Sequence, residues 1–137
     1  MGYTTEFHGA FEFDRRVDDE LYNFINKFAD TRHEEEGVPG YWCQWVINGN
    51  KLVWDGGEKF YNYVEWLEYL IDNYFAPNDY VLNGEVEYQG EDYDDFGRII
   101  VTDNEVSIKY GHRSFGVSDY RDDVLIDELK SRGYVIR

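Results

Sequence analysis

Phe60, Tyr63, Val64, Leu67, Leu70, Ile71 and Tyr74 recur at the three- and four-residue spacing that lines up apolar side chains on one face of a helix. A helix running to Pro77 must bury that face against something, and the flanking segments supply it. Before it, residues 3–13 alternate Tyr3, Thr5, Phe7, Gly9, Phe11 and Phe13 with Thr4, Glu6, His8, Ala10 and Glu12. After it, Tyr80, Leu82, Val86 and Tyr88 alternate with Asn83, Glu85, Glu87 and Gln89, with Gly84 expected as a bulge. A period of two with one polar side is a strand with one wet face. Helices packed on one face of an antiparallel sheet, the α+β class, follow from these two periods.

The remaining elements fit that frame. Asp18 is placed to cap a helix whose stripe is Leu21, Phe24, Ile25 and Phe28, expected to run to about Arg32, with Val17 stapled to Tyr22. Asn48-Gly49 stands between apolar runs and predicts a hairpin of residues 41–47 with 50–54, both central residues tolerating positive φ. A second hairpin, 96–102 with 105–110, turns at Asp103-Asn104. Residues 111–118 read as loop, followed by a short helix capped by Ser118 or Asp119 through Val124, Leu125 and Leu129, and a strand at 134–136. The order β-α-β-β-α-β-β-β-α-β begins as a split βαβ, ferredoxin-like core, extended by a C-terminal hairpin and helix.

With 137 residues, 42% apolar and 19% aromatic, the chain can bury one core, and no linker divides it, so residues 1–137 are read as a single domain. Its one cysteine, Cys43, excludes an internal disulfide and lies in the apolar run 41–47, where a thiol is buried and inert. The N-terminus lacks a basic stretch followed by an apolar one and no apolar run approaches the length of a membrane span, so the expected location is the cytoplasm.

The net charge of −16 is unevenly spread: residues 34–95 carry fifteen acids and two bases, whereas 1–33 carry seven and four, and 98–137 seven of each. Such a field repels nucleic acid and anionic membranes and favours basic proteins or divalent cations. Acidity also serves solubility alone in many proteins.

Four places invite chemistry. His8 on the polar side of the first strand and Glu85 and Glu87 on that of the fourth form one patch if those strands are neighbours, and a histidine among carboxylates can hold a metal or move a proton. A solvated sheet face looks the same. The acidic run holding Asp92, Asp94 and Asp95 departs from a calcium loop, because Phe96 falls at its fifth position and Asp103 where the twelfth requires glutamate. Asp55-Gly56-Gly57 joins a strand to a helix without either phosphate-binding spacing and reads as a turn. On the central helix, Asn62, Trp66, Tyr69 and Asn73 run beside the core stripe with Glu65, Glu68 and Asp72 adjoining, the composition of a contact surface unless other parts of the chain cover it. His33 and His112 read as surface residues, and no Ser-His-Asp or Cys-His pattern stands out.

Residues 41–45 (YWCQW), 54–63 (WDGGEKFYNY) and 82–91 (LNGEVEYQGE) together resemble a family of small bacteriophage and bacterial proteins without an assigned activity. The resemblance spans most of residues 1–110, and nothing in 111–137 belongs to it. It implies an accessory protein that occupies host machinery, with carboxylates standing where DNA phosphates would lie. The reading is then a non-enzymatic acidic binding protein needing no cofactor. Its partner is a basic host protein, with Glu65, Trp66, Glu68, Tyr69, Asp72, Asp92, Asp94 and Asp95 as the contact residues. A metal or small-ligand site at His8, Glu85 and Glu87 is the second reading. An assembly protein that buries its aromatics in a homodimer is the third.

Overall fold

The computed structural model describes residues 2–114 and 117–119. Strand β1 (Glu6–Phe13) leads into helix α1 (Asp19–Ala29), then the hairpin of β2 (Trp45–Asn48) and β3 (Lys51–Trp54). Helix α2 (Tyr63–Leu70) continues as a π-helical turn (Ile71–Phe75) and a 3-10 turn (Ala76–Asn78). Strands β4 (Leu82–Gln89), β5 (Phe96–Thr102) and β6 (Glu105–Tyr110) follow, and β7 (His112–Ser114) pairs with β8 (Val117–Asp119) in a separate small sheet. The expected helix through Val124, Leu125 and Leu129 and the strand at 134–136 lie outside the described residues.

Six strands form one sheet in the order β2-β3-β1-β4-β5-β6, each neighbouring pair antiparallel. Alternation does what the sequence requires: Phe7, Phe11 and Phe13 on β1, with Leu82, Val86 and Tyr88 on β4, face a core shared with Leu21, Ile25 and Phe28 of α1 and Trp66, Leu67 and Leu70 of α2. Both helices therefore cover the same face, and Glu6, His8, Glu12, Glu85 and Glu87 are exposed on the other. Phe7 is the hub of an edge-to-face cluster, its ring 4.9 Å from Tyr63, 5.3 Å from Trp54 and 5.5 Å from Trp45. Such geometry sets ring edges against ring faces and adds to the burial energy of the rings.

Local chemistry moved several boundaries. The first hairpin turns on Gly49-Asn50 rather than Asn48-Gly49: Asn48 pairs with Lys51, and among the central residues only Gly49 has a positive φ, 65°. Glycine at the first central position is the II′ pattern. Asn50 is committed elsewhere, its Oδ1 accepting from the Val17 amide and its Nδ2 donating to the Phe13 carbonyl, which ties the turn to the β1–α1 connection. Residues 41–44 are not strand, and β2 starts only at Trp45. Asp103 and Asn104 both have positive φ, as a two-residue turn between Thr102 and Glu105 demands.

Gly84 is not a bulge, because β1 and β4 pair without interruption from Glu6↔Gln89 to Phe13↔Leu82. It holds φ at 138°, and a Cβ there would stand 2.8 Å from the Ala10 carbonyl oxygen. Helix α1 stops at Ala29 instead of Arg32 because its last carbonyls find other donors: Thr31 N–H and His33 Nε2 both reach the Phe28 carbonyl. At its start Asp18 is the cap, accepting from the Leu21 amide at 2.8 Å. Residues 112–114 and 117–119 are paired strands, not loop, and a helix capped by Ser118 or Asp119 would lie outside the described residues.

Candidate functional site

The polar sheet face does assemble: His8 stands directly opposite Glu87, and Ala10 opposite Glu85. Arg98 faces Glu87 from β5 and donates to Glu85 Oε1 at 3.0 Å. A cation is already built into the patch, and all three candidate residues are exposed to water. Among the described residues no group of three His, Cys, Asp or Glu side chains is arranged to hold a metal ion.

The acidic loop is closed on itself and on the N-terminus. Gly90 N–H donates to the Asp95 carbonyl at 2.7 Å, and the Gln89 side-chain amide reaches the Gly90 and Asp92 carbonyls. Tyr3 donates its hydroxyl to Asp95 Oδ2 at 2.6 Å and accepts from the Asp92 amide, and the Asp95 carboxylate holds the Tyr3 phenol above its ordinary range. Asp95 is thereby spent on internal structure, leaving Asp92 and Asp94 exposed. Asp55 Oδ1 accepts from the Gly57 amide, closing a turn, and α2 begins only at Tyr63, so the glycine pair is separated from any helix N-terminus. Cys43 is fully buried, and that burial pushes its thiol up to about 12.

Trp66 is not a surface anchor. It is 0% exposed, its ring 5.7 Å from Phe28 and 5.6 Å from His33, so it is covered by the end of α1 and the loop that follows. His33, whose neighbours Arg32 and Glu34–Glu36 suggest a surface position, is 5% exposed. Its ring lies against Phe28 with centroids 4.0 Å apart and planes tilted by 38°. Its Nε2 reaches the Phe28 carbonyl at 2.8 Å and its Nδ1 reaches Glu35 Oε2 at 2.9 Å.

What remains outside is an aromatic patch at the seam between α1 and α2 that spacing alone does not pick out. Phe24 is 45% exposed although it belongs to the apolar stripe of α1. Its ring lies 4.9 Å from Tyr74, which is 6.1 Å from Tyr69, and both tyrosines are half-buried. The π-helical turn carries Tyr74 to this position. Beside it, Asp18, Glu20, Leu21, Phe24, Tyr74, Asn78 and Tyr80 line a groove of about 340 Å³.

Carboxylates stand beside the patch, Asp18 and Glu20 in the groove and Glu35 near Tyr74, and others run along the neighbouring side of the helix. Burial, the Tyr69 hydroxyl and the charge of Glu35 push the Tyr74 phenol up to about 12. Glu65, Glu68 and Asp72 follow one another along the exposed side of α2, and Glu68 is held above its ordinary range by partial burial and then by Glu65 and Asp72. Glu68 and Asp72 also rim a shallow depression with Glu105, floored by Ile71 and Val106.

No helix among the described residues is long and apolar enough to cross a membrane. No family model, no curated protein and no solved structure matches this chain.

Proposed function

We propose that this is a non-enzymatic binding protein that takes a basic protein surface onto the outer side of its helical layer, with Phe24, Tyr69 and Tyr74 at the centre and Glu20, Glu35, Glu65, Glu68 and Asp72 around them. The observation that carries the reading is the exposure of Phe24 against Tyr74, with Asp18 and Glu20 in the adjoining groove and Glu35 acting on the Tyr74 phenol. Large rings supply contact area at low entropic cost, and unneutralised acids around them steer a cationic partner and exclude others. Mutual repulsion on α2 supports the same polarity, since it is relieved when a cation arrives.

Trp66 drops out of the contact set, and its place is taken by Phe24 and Tyr74. Asp92 and Asp94 extend the negative field from the far end of the sheet. The narrower reading is a cytoplasmic accessory protein that blocks a host nucleic-acid-binding complex, its carboxylates standing in for phosphates. The strand order β2-β3-β1-β4, with α1 and α2 in the two crossovers, supports a ferredoxin-like split βαβ core under this surface.

Affinity capture from host lysate at low and high salt tests the proposal. A stoichiometric partner with a basic surface, lost at high salt and lost when Glu65, Glu68 and Asp72 are reversed to lysine, is the expected result. A partner that the reversed protein retains equally well would contradict it.

A further inference from the structure

We infer that His33 is a proton-linked latch beneath the proposed partner face, holding the loop after α1 closed when both ring nitrogens carry a proton and loosening it when one is lost. This rests on the proposed function only in what the latch controls; the latch itself is a property of the isolated protein.

The argument begins with hydrogen-bond arithmetic. Both groups facing the His33 ring are acceptors and nothing else: the Phe28 backbone carbonyl at 2.8 Å and the Glu35 carboxylate at 2.9 Å. A neutral imidazole owns one N–H, so it can satisfy one of them and must turn a lone pair toward the other. Only the imidazolium donates to both. The Phe28 carbonyl is at the C-terminal end of α1, and the rings of Phe28 and Trp66 flank the imidazole at 4.0 and 5.6 Å.

Glu35 stays ionised beside it, held below the usual carboxylate range by its own backbone amide and then by His33. Elsewhere in the loop Arg32 pairs with Glu34 and lies over the Tyr41 ring at 4.3 Å, and Glu36 is exposed. The phenols of Tyr69 and Tyr74 stand beyond the Phe28 ring, 6.2 and 5.6 Å from it.

The latch has something to hold. The His33 amide donates to the Tyr41 carbonyl at 2.7 Å, so the residue whose ring ties Phe28 to Glu35 also holds by its backbone the far end of a loop that carries the exposed Tyr41 and Trp42. It also fixes the lid over Trp66 and places Glu35 near Tyr74, at the edge of the proposed contact surface. Loss of the proton facing Glu35 removes the charge-assisted hydrogen bond to that carboxylate, which turns to water and loosens the loop.

Nitrogen-15 and amide hydrogen-exchange NMR of the unliganded protein across about pH 5 to 8, the range in which imidazole changes charge, reads this directly. The expected result is a His33 ring protonated on both nitrogens at the acid end. As the proton leaves, exchange at the amides of residues 33–38, 40 and 41 should rise about tenfold beyond the intrinsic base-catalysed increase with pH, the equivalent of one lost charge-assisted hydrogen bond. Glu35→Gln should abolish most of that rise while preserving the fold. A His33 ring that keeps a single proton throughout, or loop exchange that follows the same pH course in wild type and Glu35→Gln, would overturn the latch. Because no partner enters the experiment, its failure leaves the contact surface standing, and failure of partner capture leaves the latch standing.

Discussion

Asn26 on α1 grips the backbone of Ile47 on β2 from both sides: its Oδ1 accepts from the Ile47 amide at 2.8 Å and its Nδ2 donates to the Ile47 carbonyl at 3.0 Å. A helix side chain thus plays the part of the next strand, because β2 is the edge of the six-stranded sheet. Edge strands with open amides and carbonyls invite pairing with another chain. Asn26→Ala should cost about 1–3 kcal/mol, since it leaves two main-chain groups without partners. Urea unfolding measures the loss, and size-exclusion chromatography at rising concentration should show self-association absent from wild type.

The two inner-face glycines make a steric prediction. At Gly84 the backbone is at φ 138° and a methyl group would press on the Ala10 carbonyl oxygen, while Gly9, at φ 117°, is equally close to the Glu85 carbonyl. Gly84→Ala should destabilise by about 1–3 kcal/mol, the cost of one residue forced into strained backbone. Gly37→Ala, where nothing stands within 4 Å but φ is 91°, should show the backbone cost without the clash and fall below it. Comparing the two unfolding midpoints separates strain from contact.

Acid should weaken the fold through the cap of α1. Asp18 is held below its ordinary value of 3.8 by the Leu21 amide first and the Tyr80 hydroxyl second. A carboxyl depressed in the folded state contributes stability that is fully present above its unfolded value and disappears as pH falls through the folded one. Asp18→Ala should therefore lose stability at neutral pH and show a flatter decline below about pH 4 than wild type, in urea titrations repeated across the acid range.

Alkali should weaken it for the opposite reason. Burial carries the Cys43 thiol from 9.0 to about 12 and is the first cause of the rise of Tyr63 and Tyr74 from 10.0 to about 12. Between those values the unfolded chain sheds protons that the folded chain keeps, so stability falls as pH rises from about 9 toward 12. Cys43→Ser should be no remedy, because a hydroxyl buried at 0% exposure trades one penalty for another. Cys43 should resist thiol reagents in the folded protein and react at once in denaturant.

Class and most elements were legible because they rest on local periods: the alternation of β1 and β4, the Leu67, Leu70 and Ile71 part of the helical stripe, and the Asp18 cap appear where spacing puts them, whereas Phe60 precedes α2 and the π-helical turn shifts Tyr74 off the stripe. What escaped depends on residues distant in sequence. His33 stands between Arg32 and three glutamates, a local context that reads as solvent, yet Phe28 and Trp66 close around its ring. Trp66 reads as a flank of its helix until the loop after α1 covers it. Phe24 has the reverse history, a member of the apolar stripe left half outside because Tyr74 meets its edge rather than burying it. Asn48-Gly49 misled by one position because Asn50 has side-chain partners on Val17 and Phe13 that local turn chemistry cannot reveal.

The central claim is that the aromatic patch at the α1–α2 seam, with Phe24 exposed at its centre, and not acidity in general, makes the binding face. Calorimetric titration of the captured partner against Phe24→Ala and against Tyr110→Ala, an aromatic 67% exposed, tests it most directly. Phe24→Ala should weaken binding by about 10- to 100-fold while Tyr110→Ala leaves it unchanged, as expected of a central anchor against a bystander ring. Equal affinities for both variants and wild type would contradict the account and leave the acids without a focus.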